Sequence, residues 1–524
     1  MSEFEQDRAV RATITRAAGV TGAFTLLSRV LGLVRDQVVA FLFGAGPAAD
    51  AFFVAFRIPN LLRRLSAEGA MSAAFVPVYT KELMDNGPEA ARETAGAAFT
   101  VLAAILTGIT LAGVVFAPII VRLVAPGYVD EPAKFALTVF LTRIVFPYIL
   151  FISLATLLMS QLNSLGHFAV PAAAPAALNV GIILMALVVG PLLDRPAVAL
   201  ALGAVIGGCL QLAMQIPPLI KRKALPKFIW RPGLETVRTM GRRVVPVVFG
   251  AAVYQINLLV NTLLASLLPE GSVSYLYYAD RLVQFPLGVF GVALGTAILP
   301  SLSRQAAQGD ERGLADSTAH GLRLSLFIVL PSAVGLALLA RPIVDLIYQR
   351  GAFDPGVSLQ TVRALYAYAP GLPMAALITV VVRLFNALGD TKTPAYIGAL
   401  TMAANIALSL ALMGPLAHSG LALASSLAAG INLLLLLAVA GKRYRFLKTP
   451  ALFRGWGRIS LASAGLAAVL WAAFWWRGSP LAASPSWLQV GTGVIAGAGL
   501  YFLLARILGI REAGDLWNAL LKRR

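Results

Sequence analysis

An all-α integral membrane protein is the fold class this sequence predicts, with about fourteen transmembrane helices arranged as two six-helix pseudo-symmetric lobes plus two C-terminal helices. Three observations predict it. Of 524 residues, 58% are hydrophobic and 13% charged, and the mean hydropathy of +0.80 lies far above that of soluble domains. Aliphatic runs recur from near residue 19 to near residue 507, each long enough to cross a hydrocarbon core of roughly 30 Å as a helix. Several short motifs also return at one fixed offset along the chain.

Taken in order, the first-half spans run 19 to 43, 50 to 80, 95 to 120, 136 to 160, 168 to 190 and 197 to 219. The second half gives 243 to 267, 273 to 300, 318 to 340, 361 to 386, 394 to 414 and 419 to 440. Two more follow at 457 to 476 and 487 to 507. Pro59 in the second span and Pro286 in the eighth each remove a backbone donor and kink their helix, and broken helices are frequent where transporters bind and rock. The repeat orders these spans. Phe146-Pro147, Gln161-Leu162-Asn163-Ser164-Leu165-Gly166 and Pro171 are echoed 223 positions later by Ala369-Pro370, Leu384-Phe385-Asn386-Ala387-Leu388-Gly389 and Pro394. Ala74-Phe75-Val76-Pro77 matches Ala297-Ile298-Leu299-Pro300 at the same offset, and Gly46 matches Gly271 after a two-residue slip. Several matches at one offset favour duplication of a six-helix unit over convergent proline placement. An even number of spans keeps both copies in one orientation, related by an axis along the membrane normal. The expected domains are an N-terminal lobe over 1–220, a C-terminal lobe over 221–441, and spans 13 and 14 with a cytoplasmic tail over 442–524.

Orientation follows from lysine and arginine in alternate loops. With the amino terminus cytoplasmic, that side gathers 27 of the 43 basic residues, the opposite loops 6, and the spans themselves 10. Both termini are therefore expected in the cytoplasm. The same asymmetry accounts for the net charge of +19 as a topology signal, and no nucleic acid is expected as a partner.

The ten basic residues within spans are all arginines: Arg29, Arg35, Arg57, Arg63, Arg64, Arg143, Arg281, Arg323, Arg363 and Arg383. Each costs roughly 2.5 to 3.5 kcal/mol at a helix centre, so a set this large implies a water-filled cavity. Asp36, Asp50, Glu68 and Asp280 are the acids available to neutralise them. The surplus is a group of planar, bidentate donors suited to phosphate or carboxylate, so the cavity expects an anion. On a helical wheel Ser28, Arg29, Gly32, Arg35 and Asp36 share one arc of about 120°, as do Asp280, Arg281, Gln284, Gly288, Gly291 and Gly295. In the second span Arg63 lies opposite Asp50, Arg57, Arg64 and Glu68, but the kink at Pro59 lets either Arg63 or Arg64 turn inward. Asp50 and Glu68 are expected to neutralise Arg57 and Arg64.

Other chemistries lack their residues. Cys209 stands alone and reads as a small packing residue. His167, His320 and His418 are far apart and without ligand spacing, which suits structural or solvated histidines. No GxxxxGK(S/T) phosphate loop occurs, so ATP hydrolysis is not expected. The first span carries Arg29, Arg35 and Asp36 at its centre and has no small-residue cleavage site, unlike a signal peptide.

The amino-terminal motifs are long. Ser28-Arg29-Val30-Leu31-Gly32-Leu33-Val34-Arg35-Asp36, Phe43-Gly44-Ala45-Gly46, Asp50-Ala51-Phe52-Phe53-Val54-Ala55-Phe56, Pro59-Asn60-Leu61-Leu62-Arg63-Arg64 and Ala67-Glu68-Gly69-Ala70 resemble the signature of the MurJ/MviN lipid II flippases. So do Tyr278-Ala279-Asp280-Arg281-Leu282 and Pro300-Ser301-Leu302-Ser303. The resemblance covers essentially the whole chain, the last two spans included. It implies a member of the multidrug, oligosaccharidyl-lipid and polysaccharide exporter superfamily, a transporter and not an enzyme. Its expected activity is to move lipid II, the undecaprenyl-pyrophosphate-linked peptidoglycan precursor, from the inner to the outer leaflet of the bacterial inner membrane by alternating access. By the same resemblance Arg29, Arg35, Arg63 and Arg281 match the family's substrate-binding cavity arginines, and Asp50 a functional acid. Ser28, Asp36, Arg64, Glu68 and Asp280 are expected to support the cavity. Lipid II and membrane lipids are the expected partners of a monomer that works beside cell-wall synthesis proteins.

No cofactor is expected, and a sodium ion or the membrane potential is the candidate driving force. Some relatives are described with a sodium site whose ligands correspond to Asn261, Asn386 and Asp390. A hard cation prefers anionic and carbonyl oxygens, and Asn261 stands where a carboxylate is expected. Asn386 and Asp390, one helical turn apart, also read as a structural cap before Thr393-Pro394. The family's spans 13 and 14 are similar to a tail-binding groove, whereas Trp456, Trp471, Trp475, Trp476 and Trp487 read as interface anchors. Two rival classes remain. A drug or polysaccharide exporter of the same superfamily would share the plan, but a cationic cargo would need fewer arginines. A membrane enzyme acting on polyprenyl phosphates would need a paired acidic cluster, and no DxxD or DxD occurs on a span.

Overall fold

The computed structural model describes residues 3–66, 70–288, 292–444, 455–476 and 479–515, and among these the regular structure is helical, without a strand. The first helices are α1 (Glu3–Phe43), α2 (Pro47–Ser66), α3 (Ala70–Asp85), α4 (Gly87–Val115), α5 (Ala117–Val124), α6 (Pro132–Val145), α7 (Tyr148–Ser164), α8 (Ala169–Leu184), α9 (Ala197–Lys221) and α10 (Glu235–Ser266). They are followed by α11 (Ser272–Pro286), α12 (Val292–Gln308), α13 (Glu311–Leu338), α14 (Ala340–Tyr348), α15 (Pro355–Tyr368), α16 (Gly371–Ala387), α17 (Lys392–Arg443), α18 (Trp456–Phe474) and α19 (Ser486–Ile507). The chain packs into two compact units, Met1–Glu270 and Gly271–Arg524.

Among the described residues eight helical stretches are long and apolar enough to cross a membrane, or nine if α15 and α16, bent by 43°, count as one span. The predicted total of about fourteen is compatible with that set. α17 is two helices joined at Ala417, whose φ of 49° and ψ of −134° break the helical run, so it holds both the eleventh and the twelfth predicted spans. The second predicted span, 50 to 80, is divided between α2 and α3. α1 and α2 are outside the apolar set, and they are the helices that carry Arg29, Arg35, Asp36, Asp50, Arg57 and Arg63.

Helix boundaries repeat as the motifs do. α6 and α15, α7 and α16, and the starts of α8 and α17 are separated by 223 residues, as are the ends of α1 and α10. α2 and α11 begin 225 apart, which is the two-residue slip between Gly46 and Gly271. Gly166 after α7 and Gly389 after α16 both adopt left-handed conformations, with φ of 73° and 76°; a side chain there would strain the helix exit. The duplicated order thus restarts at α10, while the packing boundary falls after it, because α10 lies against α2 and α3 of the first unit.

In the first unit Phe75, Tyr79, Ala95, Leu157, Leu158, Leu162 and Leu219 form a core shared by α3, α4, α7 and α9. α8 and α9 approach backbone to backbone through small residues, since a Cβ on Gly207 would lie 2.7 Å from Leu178 Cα and one on Gly181 2.8 Å from the Gly203 carbonyl. In the second unit Leu322, Leu326, Phe327, Val380, Leu384, Leu436, Ile459, Leu466 and Tyr501 share one core. That core includes α18 and α19, and Tyr501 donates to the Phe327 carbonyl of α13 at 2.9 Å.

Candidate functional site

α1 presents Ser28, Gly32 and Arg35 of its predicted polar arc to α8. Arg35 and Asp36 are buried, and Arg35 Nε and Nη2 donate to Asp36 Oδ1 at 3.0 and 2.6 Å. Arg35 Nη1 donates to Asn179 Oδ1 at 3.2 Å, and Asn179 Nδ2 donates to the Ser28 carbonyl at 3.1 Å. Gly32 packs beside the same amide, where a Cβ would make ordinary contact with Asn179 Nδ2 at 3.7 Å. Arg29 on the same helix is exposed. Asn179 was not singled out from the sequence. The available signal was one amide within an otherwise apolar span, where an unpartnered polar group would be costly.

On α2 the structure gives Asp50 a partner that the sequence did not single out. Asp50 accepts from Lys134 Nζ at 3.2 Å, with side chains only 2% and 4% exposed. Lys134 also lies 3.7 Å from Glu131 and 4.2 Å above the Tyr128 ring. Arg57 donates to the Leu258 carbonyl at 3.4 Å and to the Thr262 hydroxyl, both on α10. Lys134 lies two residues before the predicted fourth span, 136 to 160, but α6 begins at Pro132 and packs along α2, which brings the lysine to the acid. Arg63 Nε donates to Asn60 Oδ1 at 2.9 Å from the turn that includes Pro59. The Arg64 side chain and Glu68 lie outside the described residues.

In the second unit α11 begins after Gly271, left-handed at φ 86°. Gln284 Nε2 donates to Asp280 Oδ2 at 2.7 Å, and Arg281 Nη2 donates to the Tyr277 hydroxyl at 3.3 Å with its guanidinium 5.5 Å from that ring. Asp280, Arg281 and Gln284 share a half-turn of α11 as the wheel predicts, with Tyr277 added one turn earlier, whereas α11 ends at Pro286, so Gly288 lies beyond it, Gly295 is on α12 and Gly291 falls outside the described residues.

The other arginines divide by role. Arg323, expected among the cavity cations, is paired with Glu512 of the C-terminal tail at 2.8 Å, the acid being 4% exposed. That acid was missed because it lies 189 residues away and beyond the last span. Arg143 Nε donates to the Val114 carbonyl at 3.3 Å and Arg363 Nη1 to Gln360 at 3.4 Å. Arg383 stays near α12, where a Cβ on Gly295 would lie 3.7 Å from its Nε.

Of the three residues matched to a sodium site, Asp390 has its surroundings defined. Asn261 is on α10 in the first unit; in the second, Asn386 is in the last turn of α16 and Asp390 follows its end. Asp390 Oδ1 accepts from the Thr393 amide at 3.0 Å, and Oδ2 accepts from the Thr393 hydroxyl and Arg443 Nη1, both at 2.7 Å. These hydrogen bonds from Thr393, with Arg443 beside them, hold its carboxyl below the usual carboxylate range. A cap donor on one oxygen and a guanidinium on the other do not suit a cation ligand. His418 has a ring nitrogen 2.9 Å from the Gln360 carbonyl and lies 5.1 Å from the Tyr275 ring, which fits the structural role expected of it.

A duplicated all-helical plan with arginines placed on its spans defines a multi-pass membrane transporter. The family model described as "Lipid II flippase MurJ" matches residues 39–483. A probable lipid II flippase MurJ of Vibrio cholerae is 40% identical over 514 residues, covering 94% of this chain and 95% of that protein. The lipid II flippase MurJ of Burkholderia cenocepacia is 38% identical and covers 95% and 98%. Among solved structures, a lipid II flippase MurJ in an inward closed conformation superposes with a TM-score of 0.78 at 28% identity, over 93% of this chain and 98% of that one. An inward-facing multidrug resistance MATE family transporter of the MOP superfamily gives 0.69 at 14% identity, over 82% and 99%, and shows likeness of fold. The chain belongs to the MurJ lipid II flippase family.

Proposed function

We infer that this protein translocates lipid II across the cytoplasmic membrane by alternating access, with Arg29, Arg35, Arg63 and Arg281 serving the pyrophosphate. The observation that carries the reading is the family match over nearly the whole chain. The physical chemistry agrees with it. A polyprenyl pyrophosphate with a large polar headgroup must shed water to cross hydrocarbon, and guanidinium forks replace that water with fixed, bidentate donors. The polyprenyl tail need not leave the lipid. Asp36 and Asn179 hold Arg35, and Tyr277 lies against Arg281, so these donors are oriented before cargo arrives.

Sodium is not assigned a step here, because the Asp390 oxygens are engaged by Thr393 and Arg443. The membrane potential or consumption of the flipped precursor is the driving force this reading favours. Both termini are placed in the cytoplasm on the distribution of basic loops. The test is accessibility of the precursor at the outer leaflet in cells depleted of the protein and complemented with variants. Arg29→Ala, Arg35→Ala and Arg281→Ala should each abolish exposure at normal membrane levels, with lysine restoring it in part, since it keeps charge but loses the fork. Full exposure with all three alanine variants would refute the arginine assignment.

A further inference from the structure

We propose that Lys134 is a positioning residue for transport, acting as the buried counter-charge through which Asp50 sets α2. The inference deepens the flippase reading above and rests on it. Three helices and one loop meet at this place in the first unit. Asp50 on α2 and Lys134 on the first turn of α6 are 3.2 Å apart, with Glu131 3.7 Å from the ammonium and the Tyr128 ring beneath it at 4.2 Å. Two turns further along α2, Arg57 is bonded to the Leu258 carbonyl and the Thr262 hydroxyl of α10. The loop before α6 closes the group. Gly127 N donates to Ser266 Oγ at 3.3 Å, and a Cβ on Gly127 would fall 2.1 Å from the Ser266 carbonyl.

A buried ion pair is an expensive way to join helices, because desolvation cancels much of the attraction and apolar contacts of equal volume often do as well. The chain contains its own comparison. α11 packs on α15 as α2 packs on α6, and the repeat places Tyr275 where Asp50 stands and Val357 where Lys134 stands. The duplicated scaffold thus joins these helices with no charge at these two positions in its second copy. The charged version is confined to the copy whose second helix also bears Arg57 and Arg63, downstream of the pair and on either side of Pro59. Fixing the Asp50 end of α2 fixes the azimuth from which those arginines project, and a neutral contact that allows slippage would not. Lys134 touches no cargo in this account.

The experiment compares Lys134→Met, Asp50→Asn, the double variant Asp50→Asn/Lys134→Met and the charge reversal Asp50→Lys/Lys134→Asp. Each is purified and reconstituted, and transport of lipid II is normalised to folded protein, with thermal melting measured on the same samples. Either single variant should lower transport per folded molecule roughly tenfold or more, because one charge is left buried. The double variant or the reversal should recover a substantial part, and melting should follow the same order. Wild-type transport in Lys134→Met with loss in Asp50→Asn would overturn the proposal, since Asp50 would then act without its lysine. Failure of both paired variants to recover either transport or melting would overturn it as well. If the wild type moves no lipid II, the flippase reading fails on that ground, and recovery of melting in the paired variants still decides whether the two charges act together.

Discussion

Arg323 and Glu512 make an unequal pair, and the inequality can be measured. The two are joined at 2.8 Å, but Glu512 is 4% exposed while Arg323 keeps 21%. Removing the arginine by Arg323→Met strands a carboxylate with almost no access to water, for which breaking a buried pair costs about 3 to 5 kcal/mol. Removing the acid charge by Glu512→Gln leaves an arginine that can turn toward solvent, so the loss is nearer that of one charged hydrogen bond, about 1.5 to 3 kcal/mol. At 1.4 kcal/mol per decade the unfolding equilibrium of the arginine variant should be roughly tenfold worse than that of the glutamate variant. The double variant Arg323→Met/Glu512→Gln should cost less than the sum, because no charge is left behind. Unfolding free energies of the four proteins in mixed detergent micelles give the cycle directly. Outer-leaflet exposure of lipid II in complemented cells supplies the functional half, and there the double variant should behave as wild type, in contrast to Arg35→Ala. Equal or reversed costs for the single variants, strict additivity, or loss of transport in a stably folded double variant would refute the assignment of Arg323 to the fold.

Replacing external and internal sodium with potassium at constant membrane potential should leave flipping nearly unchanged, whereas strong dependence that disappears in Asp390→Ala would show a working sodium ligand. Because the Asp390 carboxyl is held below its ordinary value near 3.8, its contribution to stability is complete above that value and is lost only as pH falls through the lower folded value. Hydrogen exchange at the Thr393 amide, corrected for intrinsic rates, should therefore be constant from neutral pH down to about 5 and accelerate only in stronger acid. Gly207→Val places carbon against Leu178 Cα, where even a Cβ has only 2.7 Å; α8 and α9 must part, and the melting temperature should drop clearly, while Gly241→Ala, with nothing within 4 Å of its Cβ, should hold or slightly raise it.

Faces were legible in the sequence and neighbours were not. The periodicity that gathers Ser28, Arg29, Gly32, Arg35 and Asp36 on one arc is a property of a single helix, and the structure keeps Ser28, Gly32, Arg35 and Asp36 of that arc together while Arg29 is exposed. What stands opposite it is Asn179, 144 residues away, and no period reaches across that distance. The same limit hid Glu512 from Arg323. Lys134 was hidden differently, by a boundary: whether residue 134 belongs to a loop or to the first turn of α6 decides whether its charge is solvated or buried, and hydropathy alone places such edges only to within a few residues. Prolines and glycines carried further than hydropathy. Pro147, Gly166, Pro370 and Gly389 fix backbone geometry locally, so the offset of 223 read from such residues recurs in the helix limits themselves.

Duplication accounts for the helices and leaves the charges unexplained, and that difference bears on mechanism. At the shared offset of α1 and α10, Arg35 and Asp36 correspond to Leu258 and Leu259; at the offset of α2 and α11, Asp280 and Arg281 correspond to Ala55 and Phe56. None of these charges has a counterpart in the other half. Had the arginines been inherited with the scaffold, their replacement in one copy would be the event to explain. With both copies lacking the other's set, the economical account is an apolar duplicated carrier to which each half added charge at a different level. Because the charges of each half stand at positions that are apolar in the other, transplanting one arginine to its equivalent position in the other half should not restore a lost one.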